Sequence, residues 1–150
     1  MDLYKVNGVE IENDFDLITK GRISQPLSST NTLIGSVDRI FIEKGAYVEA
    51  CTLNTQIGSI YIGNSVEVME GCSIRGGFSV LDDSKIKLGS KIYGPTSIGP
   101  KCRVGGEVKN SIFQGYSNKS HDGYLGNSII GEWVNLGADT NCSNLKNTFS

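Results

Sequence analysis

The chain has one histidine, three prolines and one tryptophan in 150 residues. A single imidazole cannot build the multi-histidine zinc sites of hydrolytic and hydrating enzymes. The four cysteines, Cys51, Cys72, Cys102 and Cys142, lie 21, 30 and 40 residues apart with no Cys-x-x-Cys pair. They read as small buried thiols in a reducing compartment, and no metal is expected. Charge of one sign is also missing, since 14 basic residues face 16 acidic ones for a formal net charge of -2. Without a cationic field, nucleic acid and anionic membrane are excluded as expected partners, leaving small molecules and other protein chains. No window is apolar enough to cross a bilayer, and MDLYKVNGVEIENDFDLITKGR lacks a basic start followed by an apolar run, so a cytoplasmic protein is expected.

Scarce proline gives meaning to abundant glycine. The 19 glycines are nearly twice the average share of ~7%, and without proline they indicate frequent tight turns rather than disorder. From Tyr61 onward an aliphatic residue recurs every six positions: Ile62, Val68, Ile74, Val80, Ile86, Ile92, Ile98 and Val104. Ile, Val and Leu supply 36 of 150 residues, so eight consecutive hits in one phase would arise by chance about once in a hundred thousand trials, before allowing for six phases. Four residues after each aliphatic stands Val66, Cys72, Phe78, Ser84, Ser90, Thr96, Cys102 or Val108, a mostly small set with Phe78 as its bulky member. Six fits neither a helix nor a long strand. It is the period of a hexapeptide β-helix, with one flat side per repeat and three sides per coil.

The same phase holds at Ile42 and Val48, then slips by two residues before Ile62, which predicts a small insertion near Asn54 to Ser59. Another slip separates Val104 from Ile130, Leu136 and Cys142: the 26 residues from Val104 to Ile130 read as four repeats plus two. The expected organisation is therefore all-β: a connector or irregular N-terminal cap over residues 1–36, then a left-handed parallel β-helix over 37–150. A loop excursion about 113–124 would carry the lone histidine, His121. Because the period still runs at Leu136 and Cys142, further coils are expected beyond Ser150.

Within this frame the order GGEVKNS, HDGYLGNSIIGEWVNLGADT, NCSNLKN is specific. It resembles the β-helical acetyltransferase half of the bifunctional enzymes that make UDP-N-acetylglucosamine. It is similar also to sugar-1-phosphate nucleotidylyltransferases that carry such a β-helix after a nucleotidyltransferase domain. The likeness runs in detail from Ile92 to Lys146 and as architecture from Ile62; a nucleotidyltransferase domain would precede residues 1–36 and is absent from this chain. The resemblance implies N-acetylation of an amino-sugar 1-phosphate of the glucosamine 1-phosphate type, with acetyl-CoA as co-substrate. His121 matches the general base, and a neutral imidazole is suited to take a proton near neutral pH. Glu107 matches the acidic member of the Glu-x-Lys step, Lys109 its phosphate-binding lysine, Tyr124 and Asn135 sugar-phosphate contacts, and Ala138 and Asn144 positions near the thioester and the acceptor amine. Ala138-Asp139-Thr140 stands where the family has Ala-Gly-Thr.

Either Glu107 or Asp122 could orient the His121 ring through its other nitrogen. Trp133 is expected to face outward or into a subunit contact, and the resemblance implies a homotrimer with sites between subunits. The alternative reading is a non-catalytic trimerisation or ligand-sensing β-helix serving a nucleotidylyltransferase. A γ-carbonic anhydrase on the same fold is disfavoured, because its zinc needs three imidazoles.

Overall fold

The computed structural model describes residues 3–137. Within them the chain winds into a parallel β-solenoid of about six turns, the architecture of a left-handed β-helix, with one α-helix laid along it. Its first face stacks strands Thr32–Ile34, Thr52–Asn54, Ser73–Arg75, Lys91–Tyr93, Glu107–Lys109 and Tyr124–Gly126. The second face stacks Ile40–Ile42, Ile60–Ile62, Phe78–Val80, Thr96–Ile98, Ile112–Phe113 and Ile129–Ile130. Strands Tyr47–Val48, Glu67–Val68, Lys85–Ile86, Arg103–Val104 and Asn118–Lys119 form the third.

The hexad explains the core. All eight aliphatics of the period are buried, and so are all eight companions four residues later. The buried hydroxyls among the small core residues are hydrogen-bonded to nearby carbonyls: Ser84 Oγ donates to Gly99 O at 2.9 Å, Ser90 Oγ to Lys87 O at 2.6 Å and Thr96 Oγ1 to Tyr93 O at 2.7 Å. Polar atoms thus enter a narrow core without an unmet desolvation cost. Cys51, Cys72 and Cys102 are buried free thiols, and burial pushes the Cys102 thiol up; Cys142 lies outside the described residues.

Coil length locates the phase slips. Partners from Ile60↔Phe78 to Lys85↔Arg103 are one 18-residue coil apart, whereas Thr52 pairs with Ser73. The three additional residues of that earlier coil fall between Asn54 and Ile60, at the expected insertion. The second slip has a different cause from the one expected. Core positions after Val104 fall at Val108, Phe113, Lys119, Leu125 and Ile130, all buried. The interval is five sides, three of them shortened at their turns, and Arg103↔Asn118 and Val104↔Lys119 pair in register through it. Residues 113–124 therefore stay on the wall, and His121 sits on the turn between strands Asn118–Lys119 and Tyr124–Gly126.

Residues at the N-terminus also add regular structure. Helix α1, Leu3–Thr19, buries Ile11 and Phe15, one helical turn apart on one face. Its 17 residues measure about 25 Å, close to five coils at about 4.8 Å each. It lies across the second face, with Phe15 in a cluster with Phe41 and Tyr61 at one end and Asn7 Oδ1 accepting from Ser97 Oγ at 2.7 Å at the other. Gly21, at φ 70°, turns the chain out of the helix. The first solenoid strand then begins at Thr32. No helix among the described residues is long and apolar enough to cross a membrane.

Ion pairs fasten α1. Arg39 bonds Asp16 and Glu12 at 2.9 Å each and lies over the Phe15 ring. Glu12 accepts from Ser59 N at 2.8 Å and Ser59 Oγ at 2.7 Å. Burial opposes ionisation of Glu12, but the Ser59 bonds and Arg39 outweigh it and hold its carboxyl below the ordinary range. The Arg22 guanidinium does the same for Glu43, against partial burial and with help from the Tyr61 hydroxyl. A depressed folded pKa contributes stability above the ordinary carboxylate value and loses it as pH falls through the folded value. Acidification below about pH 4 is therefore expected to loosen α1 before the solenoid, read as early loss of amide protection in residues 5–19. Glu12→Ala leaves the buried Ser59 N–H unpaired and should weaken helix docking by about 1–3 kcal/mol at neutral pH.

Candidate functional site at an edge of the solenoid

Strand alternation places Glu107 and Lys109 on the outside of the first face, because Val108 between them is fully buried. Register then carries the geometry. Glu107 pairs with Tyr124 and Lys109 with Gly126 one coil later, while Lys91 pairs with Glu107 and Tyr93 with Lys109 one coil earlier. A Cβ built on Gly126 would collide with the Tyr124 hydroxyl, so the tyrosine ring lies over Gly126, beside Lys109. Glu107, Lys109 and Tyr124 thus share one surface although they span 18 positions of sequence.

A groove of about 390 Å³ opens there, lined by Lys91, Glu107, Asp122, Tyr124 and the glycines Gly89, Gly106 and Gly123. The turn Ser120–Gly123 forms the edge between the third and first faces. His121 is exposed on this edge and Asp122 turns into the groove. Among the described residues the His121 ring accepts or donates no hydrogen bond, so neither Glu107 nor Asp122 holds its tautomer in this state. Asn135 stands on the other side of the same edge, on the third face, bridged in parallel to Asn118 and exposed. Ala138 and Asn144 lie outside the described residues.

The structure places Glu107 and Tyr124 on the first face beside the turn that carries His121, Lys109 at the far end of the same first-face strand as Glu107, and Asn135 on the third face. It adds Lys91, which sequence reading passed over. The signal was available, since Lys91 lies one coil before Glu107, but the shortened 16-residue register was not. Arg75, exposed two coils below Lys109, extends the cationic character of this face. Lys119 was also missed, because it occupies a hydrophobic position of the period.

Asparagines serve as corners here. Asn110 and Asn127 adopt φ of 56° and 50°, and Asn110 Nδ2 donates to Asn127 Oδ1 at 2.8 Å. At the corner between the second and third faces, Tyr116 and Trp133 stack with ring centroids 4.6 Å apart, both in the left-handed conformation and both exposed.

Sequence comparison finds relatives over part of the chain. Over 96 residues the chain is 34% identical to the bifunctional protein GlmU of Rippkaea orientalis, covering 59% of this chain and 19% of that relative. Over this stretch the chain is a homologue of GlmU. The GlmU of Synechococcus elongatus is 34% identical over 99 residues, covering 61% of this chain and 22% of the relative. That of a Nostoc species is 31% identical over 114 residues, or 70% and 25%. The chain thus spans about a fifth to a quarter of the length of these GlmU proteins. No family model matches the chain, and no solved structure does.

Proposed function

We propose that this β-helix supplies part of a sugar N-acetyltransferase site, in which the free amine of an amino-sugar 1-phosphate such as glucosamine 1-phosphate is acetylated by acetyl-CoA. The observation that carries the reading is the edge itself. The only imidazole of the chain adjoins a face where Lys109, Glu107 and Tyr124 stand together, in the order of motifs shared with the acetyltransferase half of the UDP-N-acetylglucosamine enzymes.

The chemistry suits those residue types. His121 takes a proton from the amine nitrogen as that nitrogen attacks the thioester carbonyl; the C–N bond forms, the C–S bond breaks, and the CoA sulfur leaves and recovers a proton. Lys109, with Lys91 in the adjoining coil, offers ammonium groups to the phosphate. Tyr124 and Asn135 contact the sugar from the two sides of the edge. Glu107 or Asp122 orients the imidazole once substrate closes the site. Ala138 and Asn144 are assigned to the thioester and acceptor amine, and the protein acts in the cytoplasm as a homotrimer whose neighbouring copies complete each site. The exposed Tyr116–Trp133 stack is suited to such a contact.

Lys109→Ala tests the phosphate assignment. The intact variant should show a KM for glucosamine 1-phosphate raised roughly tenfold or more with kcat changed less, as when binding common to ground and transition states is removed. Calorimetry gives the second arm: an unaltered affinity in Lys109→Ala removes lysine from the site. Tight binding by the wild type without acetyl transfer favours the ligand-sensing alternative.

A further inference from the structure

Lys119 is 2% exposed and fills an inward position of the solenoid. Val104 is its in-register partner one coil earlier. Leu136 follows one coil later, next to the Asn118–Asn135 bridge, and packs against the core. Every other inward strand position on this face is aliphatic. A buried amine in such surroundings is costly unless its hydrogens are used.

The amine is aimed at one place. Lys119 Nζ donates to Gly105 O at 2.6 Å, Gly123 O at 2.8 Å and His121 O at 3.1 Å. Three carbonyl acceptors match the three N–H donors of an ammonium. Two of them belong to the turn that presents His121, and the third to the turn one coil below. Gly123 O also accepts from Glu107 N at 3.1 Å, so one carbonyl links the ammonium to the strand of the proposed acid. The space is kept clear by Gly106: a Cβ there would lie 2.8 Å from Nζ and 2.6 Å from Gly123 O, and its φ of 75° already disfavours a side chain.

We infer that Lys119 is a positioning residue, whose buried ammonium clamps the Ser120–Gly123 turn from inside the core and so fixes where His121 projects. This rests on the acetyl-transfer reading only for its kinetic consequence; the clamp itself is a structural claim. An apolar residue at 119 would fill the core but leave the turn carbonyls without this donor. The turn would then sample several conformations while the coils around it stay stacked.

Because His121 is the only histidine, the protein has one imidazole Cε1–H signal in NMR, and that signal reports the clamp directly. In Lys119→Met it should broaden or move, and amides of Ser120–Gly123 should exchange at least tenfold faster. Val104→Ala, a cavity in the same stack, should lower Tm while leaving the imidazole signal in place. Gly106→Ala, which crowds the ammonium without deleting it, should displace the signal as Lys119→Met does, and it supplies the answer if the methionine variant fails to fold. In a turnover assay either clamp variant should lose at least tenfold in kcat with KM changed less than threefold. A folded Lys119→Met or Gly106→Ala variant with the wild-type imidazole signal and turn exchange overturns the inference. Wild-type protein that transfers no acetyl group sinks the catalytic reading alone, since signal and exchange would still report the clamp.

Discussion

His121→Ala is expected to lower acetyl transfer to glucosamine 1-phosphate by about 10²–10⁴-fold, the usual contribution of a positioned general base. The loss should fall on kcat, because no contact with the phosphate is removed. Stability should change little, since the side chain is exposed on the edge and its ring makes no hydrogen bond among the described residues. What Lys119 and the ladder hold is the backbone of residue 121, and alanine retains it. A melting curve superimposable on the wild type, together with lost turnover, is the pattern expected. An alanine variant that turns over at the wild-type rate would remove His121 from the mechanism.

Phe78→Ala should have the largest effect on stability, about 3–5 kcal/mol, the range for deleting a buried aromatic ring. Phe78 is fully buried, and its ladder partners are Ile60 on one side and Thr96 on the other. Its sequence companions in the period, Ser84 and Ser90, are too small to fill a vacated ring site. In a solenoid each coil rests on its neighbours, so a cavity in the third coil weakens the stack above and below it. Denaturant titration should show the midpoint shifted with a similar slope. A loss below about 1 kcal/mol would mean that the core collapses around the gap, contrary to close packing at that level.

Sequence pattern made the coil legible wherever apolar spacing was regular. The run Ile62 to Val104 defined the coil, and the slip before Ile62 located the longer turn at Asn54–Ser59. It failed where length and polarity changed together. From Val104 to Ile130 turns are shortened at several corners, and Lys119 takes an inward position, so hydrophobic spacing alone suggested an excursion. Helix α1 was hidden for a related reason. Among its described side chains only Ile11 and Phe15 are deeply buried, while Val9, Leu17 and Ile18 remain exposed, and the helix owes its place to Phe41, Tyr61 and the Arg39 ion pairs of the solenoid.

The site was legible as motifs but not as a surface. Glu107, Lys109, His121, Tyr124 and Asn135 follow one another in the order of the resembling family, yet only the coil register shows that Tyr124 stacks beside Glu107 and that Lys91 joins them. Register depends on the number of residues in each turn, and that number carries no hydropathy signal. The clamp on the His121 turn is further still from pattern, since a lysine between Asn118 and Ser120 reads as surface.

The central claim is that an amino-sugar phosphate and acetyl-CoA react on this edge. It is tested most directly by incubating the intact protein with both and following free amine and free thiol together. The account predicts loss of glucosamine 1-phosphate amine matched one for one by release of CoA thiol, with both rates collapsing in His121→Ala. Wild-type protein that releases thiol no faster than the uncatalysed mixture, or that releases thiol without consuming amine, would contradict it.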